Sequence, residues 1–226
     1  MAPRGDLNGW WRFGVVVVDL FMRLLFRLRV AGAERVPSAG PAIVAGNHVS
    51  ALDGLVLALT TAQHARRMTR FLVAAEFFDK ASIGWGLRLY RQIPLNRGKA
   101  DAGALDEAVV TIRSGAVAGI FPEGKVNPDP AGLQRGRRGV GRIALAAGAP
   151  VVPVGIWGTQ DRWPKAGLHY RRPWRRTIAV VYGEPIEPRG DADSLEDVQL
   201  FTDLVMTGIA KQVAEARALA TSGGAS

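Results

Sequence analysis

Short apolar runs alternate with segments of helical periodicity along most of this chain, and that alternation constrains its fold more than any other feature. The apolar runs are of strand length and are bounded by turn residues. They predict strands at residues 42–45, 71–74, 117–121, 151–156 and 177–182. The periodic segments predict helices at residues 52–63, 102–113, 139–147 and 195–219. This alternation predicts an α/β fold, with a mixed, largely parallel sheet flanked by helices.

Length and composition support one main domain with a buried core. The chain has 226 residues, of which 48% are hydrophobic. We predict an N-terminal amphipathic helical segment at residues 1–36, the main domain at residues 37–220, and a disordered Ser/Gly tail at residues 221–226. Cysteine is absent, which excludes disulfides, thiolate metal sites and a cysteine nucleophile. The sequence does not indicate an oligomeric state.

The charge balance points to a polyanionic partner. The chain has 29 basic and 20 acidic residues, which give a net charge of +9, and both nucleic acid and anionic lipid would attract it. A basic stretch at residues 163–176 includes Trp163 and Trp174. It fits base stacking, anchoring at lipid headgroups, or a solvated loop. Because the sequence has no recognisable nucleic-acid reading motif, we predict an anionic membrane surface, with Trp174 as one contact.

The N-terminal residues 10–28 are strongly apolar but contain regularly spaced charges. A helix here would place these charges in one stripe opposite a broad apolar face; they are Arg12, Asp19, Arg23 and Arg27. A spanning helix needs about 20 mostly apolar residues, so we predict a helix at the membrane interface, with Trp10 and Trp11 at headgroup level and the arginines on anionic lipid. An amphipathic helix packed on its own domain has the same periodicity.

The loop between the first predicted strand and its helix contains His48 and Asp53. A neutral imidazole there could take a proton from an attacking hydroxyl, if a carboxylate on its other nitrogen orients it. One helical turn beyond Ser50 brings Asp53 back towards His48. The same spacing also fits a helix cap, in which Ser50 caps the helix and Asp53 occupies its third position.

Two further segments follow predicted strands and could meet this loop at one edge of the sheet. The first contains Arg97 and Lys99, and the second contains Glu123 and Gly124. Ligands of open α/β sheets gather at the carboxyl ends of the strands. Arg97 could therefore bind phosphate, while Glu123 could bind a polyol or orient Arg97. Alternatively, Arg97 is a solvated charge and Glu123 belongs to a simple turn.

Taken together, these segments resemble the lysophosphatidate acyltransferase family over roughly residues 41–185. The resemblance rests on Asn47-His48 through Asp53, Asn96-Arg97, Phe121-Pro122-Glu123-Gly124, Val152-Pro153-Val154 and Gly183-Glu184-Pro185. It implies that His48 is the general base, that Asp53 orients it, and that Arg97, Glu123 and Gly124 bind glycerol phosphate. It also implies direct attack on acyl-CoA or acyl-ACP, with no covalent intermediate, metal or cofactor.

Two departures from the family pattern concern the phosphate site. Lys125-Val126-Asn127 replaces the common Thr-Arg-Ser, and a lysine that often precedes Glu76 is missing. Arg135, Arg137 and Arg138 are candidate substitutes, and Arg138 is the preferred one because it abuts the predicted helix at Gly139. The expected acceptor is a lysophospholipid, foremost 1-acylglycerol 3-phosphate. Glycerol 3-phosphate and other lysophospholipids are alternatives.

Other functional classes make different demands on the same residues. In a basic membrane scaffold or nucleic-acid binder, the His48 and Asp53 pair would be structural. A thioesterase or lipase would combine His48 with a serine, but the sequence contains no Gly-x-Ser-x-Gly elbow. The sequence therefore predicts an acyltransferase that associates peripherally with the cytoplasmic face of the cell membrane.

Overall fold

A computed structural model of the chain describes residues 9–95, 105–169 and 175–222. The strands are β1 (Phe26–Ala31), β2 (Ala42–Gly46), β3 (Thr69–Ala74), β4 (Ile93–Leu95), β5 (Val117–Ile120), β6 (Val151–Trp157) and β7 (Arg176–Tyr182). The α-helices are α1 (Gly9–Leu25), α2 (Asp53–His64), α3 (Ala81–Leu89), α4 (Asp106–Arg113), α5 (Gly139–Ala147) and α6 (Leu195–Thr221).

The seven strands form one sheet in the order β1-β7-β6-β2-β5-β3-β4. All neighbouring pairs are parallel except β6 and β7, which are antiparallel. The continuous apolar run of β2 is buried throughout, as expected for a central strand covered on both faces. The predicted α/β fold with a mixed, largely parallel sheet is confirmed.

The core is divided between the two faces of the sheet. Because side chains alternate along a strand, Val44 points into a cluster with α1 and α2, whereas Ile43 points into a cluster with α4, α5 and α6. Helix α6 lies directly against β6 at Gly155, where a Cβ atom would come within 2.1 Å of the Gln212 carbonyl carbon. The sheet is thereby covered on both faces, which leaves the strand ends to form a site.

The N-terminal region differs from its prediction. Helix α1 ends at Leu25, and residues 26–31 form β1 instead of extending the helix. Phe26, Leu28 and Val30 face the core while Arg27 is exposed, so the alternation is that of a strand. Arg27 is therefore not part of the helical charge stripe. Since β1 pairs with β7, these residues belong to the main sheet rather than to a separate segment at residues 1–36.

Candidate active site

The candidate site is built on the loop that joins β2 to α2, at the carboxyl end of a central strand. His48 Nδ1 lies 3.1 Å from Asp53 Oδ2. The His48 side chain is 20% exposed, whereas the Asp53 side chain is fully buried. The two residues that the sequence predicted as a pair are thus in contact, and only the imidazole is open to solvent.

The Asp53 carboxylate accepts hydrogen bonds on both oxygens. Oδ2 accepts from the main-chain N–H groups of Val49 at 2.7 Å and Ser50 at 2.8 Å. Oδ1 accepts from Thr159 Oγ1 at 2.6 Å. Hydrogen bonds of this kind offset the cost of burying a charge. The carboxylate is therefore held by the loop that precedes α2 as well as by His48.

The predicted capping arrangement is wrong. Asp53 is the first residue of α2, and its N-cap, Leu52, forms no side-chain capping bond. The Ser50 hydroxyl instead donates to the Trp163 carbonyl at 2.7 Å and accepts from Leu52 N. Because Asp53 bonds to main-chain N–H groups ahead of the helix, its side chain closes the loop between β2 and α2 rather than capping α2.

Glu123 holds the same loop from the neighbouring strand end. Its Oε1 accepts from His48 N at 2.8 Å, and its Oε2 accepts from Gln134 N at 2.9 Å. The residue is only 2% exposed. The sequence predicted a contact with glycerol phosphate, but both carboxylate oxygens are engaged by the main chain. Glu123 therefore supports His48 in this structure and does not face an open site.

Further contacts to this loop were not predicted. The Asn47 side-chain amide bonds to both main-chain groups of Ile156 on β6, at 3.0 and 2.8 Å. The His48 carbonyl accepts from Asn127 N at 2.6 Å. The loop is thus fixed by β6 on one side and by the segment after β5 on the other, which the parallel sheet brings to the same edge.

Gly124 is in contact with one of the candidate arginines. It has a φ of +72°, and a Cβ atom there would lie 2.5 Å from Arg137 Nε, so the arginine packs where any other residue would place a side chain. Arg135, Arg137 and Arg138 line a cavity of about 560 Å³. Arg138 precedes α5 as predicted but does not line the cavity that His48 reaches. Arg97 and Lys99 lie outside the described residues.

His48 opens onto a largely apolar cavity of about 690 Å³ between α1, α2, α3 and β3. The imidazole stacks on Phe121, with ring centroids 4.3 Å apart. At the α1 wall, Trp11 is 5% exposed and packs edge-on against Tyr90. The prediction that Trp11 contacts the membrane is wrong, because its ring is covered by the domain and lines this cavity.

Comparison with known proteins identifies the family. The acyltransferase family model matches residues 27–157, more than half of the chain. The chain belongs to the acyltransferase family. A crystal structure of the 1-acyl-sn-glycerophosphate (LPA) acyltransferase PlsC from Thermotoga maritima superposes with a TM-score of 0.71 and 27% identity, covering 92% of this chain and 80% of that one. The chain is therefore PlsC-like in fold and family.

Two curated relatives are similar to most of this chain. A 1-acyl-sn-glycerol-3-phosphate acyltransferase of Chlamydomonas reinhardtii is 28% identical over 177 residues, which are 76% of this chain and 50% of the relative. An uncharacterised protein of Mycobacterium tuberculosis is 35% identical over 158 residues, which are 66% of this chain and 42% of that protein. The chain thus spans half or less of the length of these curated relatives.

Helix α1 has two apolar faces. One face packs on the domain through Trp11, Val15, Val18 and Met22. The other face is exposed and consists of Trp10, Phe13, Val16, Val17, Leu20, Phe21 and Leu24. Arg12 and Arg23 are exposed beside it, and Arg23 pairs with Asp19 at 2.7 Å. The helix therefore combines packing on the domain with an uncovered apolar face.

The remaining predictions concern a membrane-spanning helix, a metal site and the tryptophans of the basic stretch. Within the described ranges, no helix is both long and apolar enough to cross a membrane. The same ranges contain no group of three His, Asp or Glu side chains that could hold a metal ion. Trp163 is 41% exposed, while Trp174 lies outside the described residues.

Proposed function

We propose that this acyltransferase moves an acyl chain from an acyl-CoA or acyl-ACP thioester to the free hydroxyl of a lysophospholipid. The leading acceptor is 1-acylglycerol 3-phosphate, which would give phosphatidate. The observation that carries the proposal is the His48–Asp53 contact of 3.1 Å beside an apolar cavity of about 690 Å³. Such a cavity suits an acyl chain, and the base stands at the end where the thioester carbonyl would lie.

In the proposed reaction, His48 acts as a general base. The Asp53 carboxylate next to Nδ1 favours the tautomer with a proton on Nδ1, so Nε2 is the acceptor. Nε2 takes the acceptor's hydroxyl proton while that oxygen attacks the thioester carbonyl. The tetrahedral intermediate then collapses, the carbon–sulfur bond breaks, and the proton passes from His48 to the departing thiolate. The charge of Asp53 stabilises the imidazolium between these steps.

Arg137 is our candidate among the described residues for the acceptor's phosphate. It packs against Gly124, the residue next to Glu123, whose side chain holds the His48 main chain. Its main-chain N–H also donates to the Pro122 carbonyl at 2.8 Å. A guanidinium on this segment could replace the arginine that the family has at the position of Val126. Arg97 remains a second candidate by resemblance.

We further propose that the exposed apolar face of α1 lies on an anionic membrane surface. That face is flanked by Arg12 and Arg23, which suits a helix lying in the headgroup layer. Gly14 and Val15 of the same helix line the cavity. Lipid substrates would then reach the cavity from the membrane, with the enzyme bound peripherally at the cytoplasmic face.

An acceptor panel tests the proposed activity. The purified chain would be incubated with labelled acyl-CoA or acyl-ACP and with lysophosphatidate, glycerol 3-phosphate or uncharged lysolipids, followed by positional analysis of the product. We expect phosphatidate from lysophosphatidate, and we expect Arg137→Gln to raise KM for phosphate-bearing acceptors only. Arg189→Gln is the matched control, since this exposed arginine lines none of the cavities described above.

Two outcomes of the panel would reject the proposal. Release of free fatty acid in the presence of a good acceptor would indicate a thioesterase. No transfer to any phosphate-bearing acceptor, combined with binding to nucleic acid at physiological salt, would indicate the basic binding protein instead.

A further inference from the structure

The turn that follows β6 directs one hydroxyl into the catalytic pair. β6 ends at Trp157, and Gly158 adopts a φ of +100°. A Cβ atom at Gly158 would lie 2.2 Å from the Thr177 carbonyl oxygen, so only glycine fits this turn. The chain reverses sharply there, and Thr159 enters the protein interior, where it is fully buried.

Among the described residues, only Thr159 forms a hydrogen bond with Asp53 Oδ1. Its Oγ1 donates to Asp53 Oδ1 at 2.6 Å. The other three donors, His48 Nδ1 and the N–H groups of Val49 and Ser50, all lie at Oδ2. A carboxylate bonded on both oxygens has a fixed plane, so the Thr159 hydroxyl keeps Oδ2 directed at the imidazole.

The same turn holds the catalytic loop through main-chain contacts. The Trp163 carbonyl accepts from Ser50 Oγ at 2.7 Å and from Ala51 N at 3.2 Å. Asp161 is tied to β7 by a 2.6 Å ion pair with Arg176. The turn is thus anchored to the sheet on one side and to the loop on the other, which makes it a rigid support for Asp53.

We propose that Thr159 is a positioning residue for general-base catalysis in this acyltransferase. It acts through Asp53 and not on the substrate. Its hydrogen bond to Oδ1 orients the Asp53 carboxylate and stabilises part of its negative charge. The inference rests on the proposed role of His48 as base. Without the Thr159 hydrogen bond, the negative charge of Asp53 is less neutralised, so it stabilises protonated His48 more strongly. In that protonated form the imidazole cannot accept the hydroxyl proton.

Thr159→Val tests the proposal because valine keeps the shape and removes the hydroxyl. We expect kcat for acyl transfer to fall about tenfold, the order of a hydrogen bond to a charged group, with little change in acceptor KM. We also expect the acid limb of the pH–rate profile to move to higher pH. Thr159→Ser should restore both rate and profile, because it restores the donor.

Thr61→Val is the matched control. Thr61 is a buried threonine at the other end of α2, and its hydroxyl bonds to Tyr182 OH. It should leave both the rate and the pH profile unchanged. Melting temperatures of all variants would be measured together with the rates, so that a folding defect is recognised.

The outcomes separate this proposal from the one on which it rests. Full rate in Thr159→Val with an inactive His48→Ala would overturn the role of Thr159 and leave the base intact. Full rate in His48→Ala would overturn the base itself. Equal losses in the Val and Ser variants, or a loss without a shifted pH profile, would assign Thr159 to packing and overturn the proposal.

Discussion

Helix α2 has a buried, hydrogen-bonded polar cluster at each end, and the two clusters differ in what they face. At its start, Asp53 binds Thr159 and His48, and the His48 side chain opens onto the apolar cavity. Near its end, the hydroxyls of Thr60 and Thr61 lie 2.5 and 3.0 Å from Tyr182 OH. This second cluster is fully buried and contains no charge at neutral pH.

The two clusters lie on the same helix, but the first belongs to the proposed reaction and the second to the stability of the fold. Both clusters satisfy their polar atoms, as buried groups require. Only the first holds a charge next to a partly exposed group that can exchange a proton with a substrate. The second joins α2 to β7 and lines neither of the two cavities described above. Changes at the first cluster should therefore lower the rate more than the stability, and changes at the second should do the reverse.

The largest effect is expected for His48→Ala. We expect acyl transfer to fall about 10²- to 10⁴-fold, the usual contribution of a general base. The main-chain N–H and carbonyl of residue 48, which bind Glu123 and Asn127, remain in the variant, so the melting temperature should change little. Initial rates and thermal melts on the same samples measure both quantities. A variant that retains full rate would contradict the assignment of the base.

The next largest effect is expected for Asp53→Asn. This variant tests the charge of residue 53 separately from its hydrogen-bonding geometry. The asparagine oxygen can take the place of Oδ2, and its amide can donate to Thr159, whose hydroxyl is able to accept. The loop should keep its shape while the charge that stabilises the imidazolium is lost. We expect a rate loss of about 10²-fold with a small change in melting temperature. A full rate would show that orientation alone suffices.

The sequence predicts the parts of the fold that depend on local apolar runs. β2, β6 and α5 are of this kind, since each is a continuous or periodic apolar segment. The sequence predicts helix as far as Leu28 because Arg27 continues the helical spacing of the charges in α1. The alternation of apolar residues and arginines in β1 covers only six positions, a pattern too short to separate the two periods. Its strand character depends on pairing with β7, about 150 residues away. Helix α3 contains two glycines and β4 has three residues, so neither gives a clear signal.

In the site, too, contacts between residues close in sequence were easier to predict than contacts between distant ones. The spacing of His48 and Asp53 fits both their contact and a helix cap, and the resemblance to the family favours the contact. Thr159 lies 106 residues from Asp53, and no local pattern indicates that its hydroxyl reaches the carboxylate. Glu123 is predicted to contact substrate because it follows a strand and matches a residue that the family assigns to glycerol phosphate binding. Two main-chain N–H groups bury it instead, which only the folded loops could reveal.

The smallest effect on activity is expected for Tyr182→Phe, at the neutral cluster. Thr60 keeps its bond to the Val56 carbonyl, so we expect a loss of about 1 kcal/mol in the free energy of unfolding at neutral pH and an unchanged rate of acyl transfer. Urea unfolding and the acyl-transfer assay on the same samples measure these two quantities. A lower rate at unchanged stability would contradict the separation of the two clusters.

The same variant should also change the pH dependence of the free energy of unfolding, because burial raises the pKa of Tyr182 from 10.0 to about 12. The unfolded chain ionises this phenol more readily, so its contribution to stability is complete below about pH 10 and is lost as the pH rises through about 12. The wild type should lose about 2 to 3 kcal/mol across that window relative to Tyr182→Phe. Parallel pH dependence of unfolding in both proteins would show that another group controls alkaline stability.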